Sequence, residues 1–490
     1  MSLTTAAATR DDLALTGDQG DHTATIHADA PSTTAALPPS GGASVDPEQP
    51  LVPVVGGDLR VPLLGGGQTR YVNLDYAATA PAAEAVAARV AHVLPFAGSV
   101  HRGAGLPSQA SSALYEAARA AVGRALGVRP GDHVVFTRNT TDSTNLLASA
   151  VPAGAGDVVA HDIEHHANLL PWQRAAGLRC VEHAPTVLET LARLRDAVRA
   201  QPTALVAVTG ASNVTGELLP IPAIAEIAHD AGARLFVDAA QLAPHRAIDL
   251  VALGADYLAL SGHKLYAPYG SGVLVGRGDW LDAADPYLAG GGAVREVKVD
   301  ETLWADGPKR HEAGTPNLAG AVAIAAAFEV LVTAEGREEH ERALRERVLD
   351  GIKDLPGIRT LRIWDDSADA IGVVTFTVDG FAAGHVGAYL SAEHGIGVRD
   401  GRFCAHPLLA RFGLERGALR ASFGLGSRLE DADRLVAALT QLAHHGPTFA
   451  YCDGPTGWVP LDETRDIAAW IGLDLGDTAA ARGAAPCSFG

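Results

Sequence analysis

Short β-rich runs alternate with helical stretches through the middle of this chain. The runs lie, in order, at 133–137, 204–209, 234–238, 256–260 and 272–275. Between several of them, apolar residues recur with helical periodicity, as at 108–127 and 222–231. Strands that alternate with helices form βαβ units. The pattern therefore predicts an α/β fold built on a mostly parallel sheet.

The remaining sequence divides into segments of different character. Longer helical stretches at 318–333, 336–354 and 428–443, together with a strand at 372–378, predict a second, smaller α+β domain. Residues 1–50 contain no aromatic residue, so the N-terminal segment has too little apolar surface to offset the entropy of ordering. We expect a disordered extension, a large domain, a small domain and a C-terminal extension that is irregular apart from a short helix near 463–472. Their expected bounds are 1–60, 61–330, 331–445 and 446–490.

Charge and cysteine content restrict the class of protein. The formal net charge is −19, which argues against nucleic acid or an anionic membrane as the main partner. The cysteines are widely spaced and form no C-x-x-C pair, which suits a reducing compartment better than a disulfide framework. We find neither an apolar run of about 18 residues, as a membrane span needs, nor a basic-then-apolar signal pattern. We therefore expect a cytoplasmic enzyme. The cysteines are Cys180, Cys404, Cys452 and Cys487.

Lys264 and Asp238 carry the strongest chemical signal. Each follows or ends a predicted strand, and ligands of parallel sheets bind at the carboxyl ends of strands. A desolvated lysine amine becomes neutral more readily, and the neutral amine condenses with an aldehyde. A buried carboxylate keeps the ring nitrogen of pyridoxal phosphate (PLP) protonated, and Gln241 could donate to the phenolic oxygen of the same ring. Taken singly, Lys264 also suits a solvent-reaching lysine and Asp238 a helix cap.

Two further segments offer groups for an anion and a ring. The sequence TRNTTD at 137–142 lies between a strand and a helix, where hydroxyls and the helix N-terminus suit phosphate binding. An ordinary helix cap explains the same residues equally well. In the segment EHHAN at 164–168, one imidazole could stack on the PLP ring and relay protons. A two-histidine metal site is the competing interpretation, although no third ligand has a suitable spacing.

Cys404 and Arg420 are candidates for sulfur chemistry and carboxylate binding. Cys404 lies in the segment RDGRFCAHP at 399–407, where arginines favour a thiolate nucleophile. The alternative is a structural cysteine. Arg420 lies in LRAS, and a guanidinium suits bidentate binding of a substrate carboxylate. The alternative here is a surface salt bridge.

Taken together, these segments resemble a known family. The chain resembles class V aminotransferase-fold PLP enzymes, and within them the Suf-type (group II) cysteine desulfurases and selenocysteine lyases. The resemblance runs in family order over about residues 70–445 and implies PLP fold type I (aspartate aminotransferase-like), with a seven-stranded, mostly parallel sheet in the large domain. The matching segments are YVNLDYAATAP (71–81), SVHRGAG (99–105), VVFTRNTTDSTNL (134–146), IEHHANLLPWQ (163–173), SNVTGELLPI (212–221), LFVDAAQLAPH (235–245), LSGHKLYAPYGSGVL (260–274), HEAGTPN (311–317), VRDGRFCAHPLL (398–409) and LRASFG (419–424).

The resemblance implies a role for each of these residues in turn. Lys264 is implied to hold PLP as a Schiff base and to move the substrate Cα proton. Asp238 is implied to pair with the pyridine nitrogen, Gln241 to contact the phenolic oxygen and His165 to stack on the ring. The side chains implied to bind the cofactor phosphate are Thr140, Thr141, Ser261 and His263, with Thr315 reaching the phosphate of the other subunit of a homodimer.

The substrate side of the site is implied in the same way. Asn213 and Arg420 are implied to hold the substrate carboxylate, and His101 and Arg399 to line the site. Cys404 is implied to take sulfur from L-cysteine as a persulfide, with release of alanine, and to pass it to an acceptor protein.

The sequence also departs from the family pattern. Asp400, Arg402 and Phe403 replace a Thr and two His residues of the usual cysteine loop, which bears on the choice of sulfur acceptor. The alternatives are therefore a selenocysteine or C–S lyase, an epimerase or an aminotransferase on the same fold, or a non-catalytic cargo protein. The extension 1–60 resembles the leaders of cysteine desulfurases packaged inside encapsulin shells, which implies a docking segment and a location inside such a nanocompartment. A dispensable tail is the alternative interpretation of the same composition.

Overall fold

The computed structural model describes residues 49–175, 177–455 and 457–473. In chain order, the strands of these residues are β1 Arg60–Pro62, β2 Gln68–Arg70, β3 Val72–Asn73, β4 Asp132–Thr137, β5 Asp157–His161, β6 Leu178–Val181, β7 Thr203–Thr209, β8 Arg234–Asp238, β9 Tyr257–Ser261, β10 Gly272–Arg277, β11 Val294–Val297, β12 Thr302–Trp304, β13 Ile358–Thr360, β14 Val373–Val378, β15 Ile396–Gly397, β16 Arg399–Gly401, β17 Ala418–Ser422, β18 Tyr451–Gly454 and β19 Gly457–Pro460.

The α-helices are α1 Glu84–Val93, α2 Leu106–Ala125, α3 Thr140–Ala150, α4 Leu170–Ala175, α5 Val187–Ala200, α6 Ile221–Asp230, α7 Gly278–Ala283, α8 Leu318–Thr333, α9 Arg337–Ile352, α10 Ala383–His394, α11 His406–Arg411, α12 Leu429–His445 and α13 Ile467–Ile471. Two short 3-10 turns matter for the site, His166–Asn168 and Gly262–Lys264.

A seven-stranded sheet forms the centre of the larger part of the chain. Its order is β4-β10-β9-β8-β7-β5-β6, and only β10 runs antiparallel to its neighbours. Alternate residues of one strand enter different cores: Leu235 and Val237 join one buried cluster, and Phe236 joins another. A strand buried on both faces reads as a continuous apolar run, which is why the sequence revealed it. The predicted α/β class with a mostly parallel sheet is confirmed.

A second sheet, with the order β13-β14-β17-β16, lies in the C-terminal part. Its core includes residues from α9, α10 and α12, together with Val72 and Leu74 from the N-terminal side. The early segment Val72–Leu74 therefore crosses to the smaller core, a contribution that the expected boundary at 330/331 does not capture. The division at 330/331 stays a prediction.

Both ends of the described chain differ from expectation. Residues 1–48 of the expected disordered extension lie outside the described residues, but the expected disorder does not extend over 49–60. There Val54 is buried, and the Val52 N–H donates to the Leu425 carbonyl at 3.0 Å. In the segment expected to be irregular, β18 and β19 form an antiparallel hairpin, and Trp458 stacks on His385 of α10 with ring centroids 4.5 Å apart. The predicted short helix is present as α13.

No single helix in the described ranges is long and apolar enough to cross a bilayer. Only α8 and α9 taken as a pair would satisfy length and composition, and these two helices meet at a bend of 81°.

Candidate active site

The carboxyl ends of the parallel strands bring the predicted site residues to one edge of the sheet. Asp238 ends β8, Ser261 ends β9, and Lys264 closes the 3-10 turn that follows directly. β8 pairs with β9 in a register that sets Asp238 opposite Ala259. Since β10 is antiparallel to both β4 and β9, Thr137 at the end of β4 meets the same edge. Residues that are distant in sequence thus converge there.

Lys264 is surrounded by opposing charges. Loss of hydration lowers the pKa of its amine to about 8, while Asp238, Cys404 and Asp75 raise it and Arg420 lowers it. Near pH 8 the amine is thus divided between neutral and charged forms, as a lysine that attacks a carbonyl requires. Asp238 is 4% exposed and accepts a hydrogen bond from the Ala240 N–H at 2.9 Å. Burial raises the pKa of Asp238, and the Ala240 N–H and Lys264 oppose that rise.

Thr140 and Ser261 form a hydroxyl-lined corner at the N-terminus of α3. The Ser261 Oγ accepts from the Thr140 N–H at 2.8 Å and lies 2.8 Å from the Thr140 Oγ1. The helix cap is Asn139, which accepts from the Asp142 N–H at 2.9 Å. Because Asn139 performs the capping, the Thr140 hydroxyl can pair with Ser261 instead. Thr141 is exposed on the first turn of the same helix.

His263 and Gln241 bind segment 77–79. The His263 Nδ1 lies 3.2 Å from the Thr79 Oγ1, and loss of hydration together with Lys264 lowers the pKa of His263 to about 4. Gln241 is 3% exposed and donates from Nε2 to the Ala77 carbonyl at 2.7 Å. His263, predicted to bind the phosphate, and Gln241, predicted to contact the ring, therefore both contact the segment YVNLDYAATAP (71–81).

Glu164 and His165 lie in the segment that follows β5. The His165 Nδ1 accepts from the Ala167 N–H at 3.0 Å, and loss of hydration with Lys264 nearby lowers its pKa to about 3. The ring is thus neutral and held in place. Glu164 is fully buried and accepts from Asn168 Nδ2 at 2.7 Å and from the Thr209 N–H at 3.0 Å. Burial raises the pKa of Glu164 to about 8, so at neutral pH it adds little negative charge beside Asp238.

The cysteine loop (399–407) contacts Asn213 and Arg420, the two residues predicted to bind the substrate carboxylate. Asn213 Nδ2 donates to the Phe403 carbonyl at 2.8 Å, and the Phe403 ring lies 5.2 Å from the Arg420 guanidinium carbon. Arg420 is 3% exposed and donates to the Asn213 carbonyl at 2.8 Å. Phe403 and Cys404 both have a φ of 52°, which is costly for residues with a Cβ. Cys404 is exposed, and its carbonyl accepts from the His166 N–H at 2.8 Å.

Two of the predicted site residues, His101 and Thr315, have no described contact with Lys264 and the residues around it. His101 pairs with Glu116, with Nε2 3.0 Å from the Glu116 Oε1, and no described contact links it to Lys264. Thr315 is exposed and likewise has no described contact with the group. Arg399 does belong, because its charge acts on both Asp75 and Arg420. Within the described residues, no group of three His, Cys, Asp or Glu side chains could hold a metal ion.

Comparison with known proteins decides the family. The model of the family described as aminotransferase class-V matches residues 72–435. This chain belongs to the aminotransferase class-V family. Its members depend on PLP, so the resemblance to class V aminotransferase-fold enzymes and the PLP requirement are confirmed.

Curated and solved class-V relatives agree with this assignment. A cysteine desulfurase of Haloferax volcanii is 37% identical over 409 residues, which cover 79% of this chain and 92% of the relative. One of Dickeya dadantii is 37% identical, with coverage of 70% and 85%. The apo structure of the Thermococcus onnurineus cysteine desulfurase superimposes with a TM-score of 0.71 at 32% identity, covering 76% of this chain and 94% of that one. The Escherichia coli cysteine desulfurase CsdA (S-sulfonic acid) gives 0.67 at 35%, with the same coverage.

The residues at the sheet edge of this class-V enzyme fit PLP. The Asp238 carboxylate has a single described hydrogen bond and suits the ring nitrogen. The Lys264 amine, which no described residue hydrogen-bonds, suits the aldehyde. The paired hydroxyls of Thr140 and Ser261 at the N-terminus of α3 suit the phosphate. Sequence reasoning missed Asp75 and Glu164 as members of this site. Both lie within segments that the resemblance included, but nothing in either segment distinguishes a site carboxylate from a structural one.

Proposed function

We propose that this class-V enzyme is a cysteine desulfurase that converts L-cysteine to L-alanine and holds the released sulfur as a persulfide on Cys404. The decisive observation is that the loop carrying the exposed Cys404 contacts the residues proposed to bind the substrate carboxylate: Asn213 Nδ2 donates to the Phe403 carbonyl at 2.8 Å, and the Phe403 ring lies 5.2 Å from the buried Arg420 guanidinium. Curated relatives with the same activity, which cover most of the chain, support this proposal.

Lys264 and the residues around it would hold the cofactor, set the charge of its ring and move the substrate proton. Bound PLP supplies an electron sink for the electrons released at the substrate Cα. With PLP bound, the Lys264 amine would hold the cofactor and move the Cα proton, Asp238 would keep the ring nitrogen cationic, and the neutral imidazole of His165 would contact the ring. Gln241 and His263 would hold the cofactor from the side of segment 77–79. Thr140, Thr141 and Ser261 would hold its phosphate.

Cys404 performs the sulfur step. Its thiolate attacks the substrate sulfur, so an S–S bond forms while the substrate C–S bond breaks. The electron pair of the C–S bond stays with the substrate carbon, which is protonated to give alanine. Asn213 and Arg420 hold the substrate carboxylate so that the sulfur lies within reach of the thiol, with Arg399 and His101 lining the entrance.

Mass spectrometry after addition of L-cysteine tests this assignment. We expect a mass increase of one sulfur atom, about 32 Da, confined to the peptide that contains Cys404. Peptides containing Cys180 or Cys452 serve as internal controls, since no described contact links either residue to the proposed site. A persulfide on one of them, with Cys404 unmodified, would contradict the proposal.

We also propose a homodimer in which Thr315 reaches the phosphate of the other subunit. Two observations support this: Thr315 is exposed and apart from the Lys264 group of its own chain, and several large apolar side chains are exposed without cover. Among them are Leu94, Phe96, Leu106 and Tyr269. We place the enzyme in the cytoplasm, with transfer of the persulfide sulfur to an acceptor protein.

A third proposal concerns the N-terminal segment, which we infer to dock the enzyme inside an encapsulin shell. Its support is a composition without aromatic residues, which suits a docking tether rather than a core element. Deleting residues 1–48 should abolish co-purification with a shell and leave turnover unchanged. The deletion stops at residue 48 because Val52 and Val54 pack on the body of the enzyme. Equal shell loading with and without the segment would refute packaging.

A further inference from the structure

The Asp75 carboxylate pairs with the guanidinium of Arg420, the group to which the proposed function assigns the substrate carboxylate. Arg420 Nη2 donates to the Asp75 Oδ1 at 3.2 Å, while Arg420 Nη1 is committed to the Asn213 carbonyl. The Arg420 Nε is buried without a described partner. One nitrogen of the Arg420 guanidinium is therefore already paired with a carboxylate of the protein itself.

The backbone of Asp75 is fixed in this position. Its N–H donates to the Asn73 Oδ1 at 3.0 Å, and the residue forms a parallel bridge with Ser422 of β17, two residues after Arg420. The Asp75 side chain is 27% exposed, whereas that of Arg420 is 4% exposed. Asp75 is therefore the more solvent-accessible partner of this ion pair.

We propose that Asp75 is an internal competitor for the substrate carboxylate: it neutralises Arg420 in the resting enzyme and gives up that contact when the substrate binds. This inference rests on the proposed function, because it takes Arg420 as the carboxylate-binding residue. A second carboxylate at the same guanidinium repels Asp75, and the repulsion is relieved if Asp75 takes up a proton. Substrate binding is then linked to proton uptake.

The charged groups that face Asp75 determine the sign of this linkage. They come from several elements: Arg420 on β17, Arg399 and Asp400 on β16, Lys264 after β9, and Tyr71 on its own segment. Burial raises the pKa of Asp75, and Arg420, Arg399 and Lys264 oppose that rise. Deprotonated Asp75 competes best, so the affinity for a carboxylate falls as pH rises through the pKa of Asp75.

Calorimetric titration of the holoenzyme with propionate tests the proposal. Propionate carries a carboxylate but neither an amine nor a thiol, so it reports on the carboxylate position alone. In two buffers of different ionisation enthalpy, the wild type should take up part of a proton per propionate bound. Asp75→Asn should take up none and should bind propionate about tenfold more tightly, because a like charge has been removed. Weaker binding in Asp75→Asn, or binding of propionate to the wild type without proton uptake, would overturn the proposal.

Three further variants distinguish an error in the role proposed for Asp75 from an error in the proposed function. Asp75→Glu keeps the charge and should bind propionate no more tightly than the wild type. Asp58→Asn removes a surface carboxylate that pairs with Arg428 at 2.8 Å and should match the wild type in affinity and proton uptake. If Arg420→Gln binds propionate unchanged, the carboxylate assignment in the proposed function is wrong. If Arg420→Gln loses binding but Asp75→Asn behaves as the wild type, only the role of Asp75 is wrong.

Discussion

Replacing Lys264 with alanine should reduce turnover of L-cysteine by at least about 10³-fold, because one substitution removes both the cofactor-holding amine and the group that moves the Cα proton. The loss should persist at saturating substrate, since no neighbouring side chain can replace the amine: among the described residues around it, Asp238 is a carboxylate and Arg420 is a guanidinium that stays charged. The measurement is the rate of alanine formation with excess PLP, together with the absorbance of the purified protein.

Lys298→Ala is the matched control, since Lys298 is an exposed lysine paired with Glu301 at 2.9 Å. It should retain both the rate and the absorbance of the wild type. A Lys264→Ala protein that keeps the wild-type absorbance and a substantial rate would show that another amine holds the cofactor.

Replacing Cys404 with serine should lower desulfuration by about 10²-fold or more while leaving cofactor loading unchanged. A serine hydroxyl is a far weaker nucleophile than a thiolate at neutral pH. The backbone should not respond, because serine replaces cysteine at the same φ of 52° with nearly the same volume. The assay follows alanine formation from L-cysteine, with absorbance as the check on loading.

Cys180→Ser provides the control for this substitution. Cys180 is also exposed, but burial of its thiol group, with Asp162 and Glu164 nearby, raises the pKa of Cys180 to about 11, so its thiol stays protonated at neutral pH. This variant should desulfurate L-cysteine at the wild-type rate. Undiminished alanine and sulfide production by Cys404→Ser would instead identify a thiol-independent C–S lyase, the main alternative that the altered cysteine loop leaves open.

The sheet and the Lys264–Asp238 pair could be predicted because each depends on local signals. A strand buried on both faces must be apolar throughout, so 234–238 and 256–260 are distinct in the sequence. A polar residue at the end of such a strand has few roles other than at a site. Five strands of the central sheet were therefore predicted from the sequence pattern, whereas β5 and β6 were not, and the count of seven strands came from the family resemblance. The assignment of individual side chains to ring, phosphate or substrate stays a prediction.

Contacts between distant segments could not be predicted. The pairs Asp75–Arg420 and Asn213–Phe403 join residues 345 and 190 positions apart, and no periodicity reports such contacts. The hairpin of β18 and β19 consists of two four-residue strands that resemble loop sequence. Residues 49–60 are held by long-range contacts of the same kind, such as the buried side chain of Val54 and the hydrogen bond from the Val52 N–H to the Leu425 carbonyl.

The position of β4 has a consequence for how the molecule assembles. Thr140 reaches Ser261 only after β4 has paired with β10, which lies more than a hundred residues further along the chain. Gly272 is required at this junction, because a Cβ there would lie 2.6 Å from the Asn139 Cα. Pairings of such long sequence separation form slowly and late. We therefore expect the anion-binding corner to form late in folding, so that bound PLP would stabilise the finished enzyme by mass action rather than guide its early collapse.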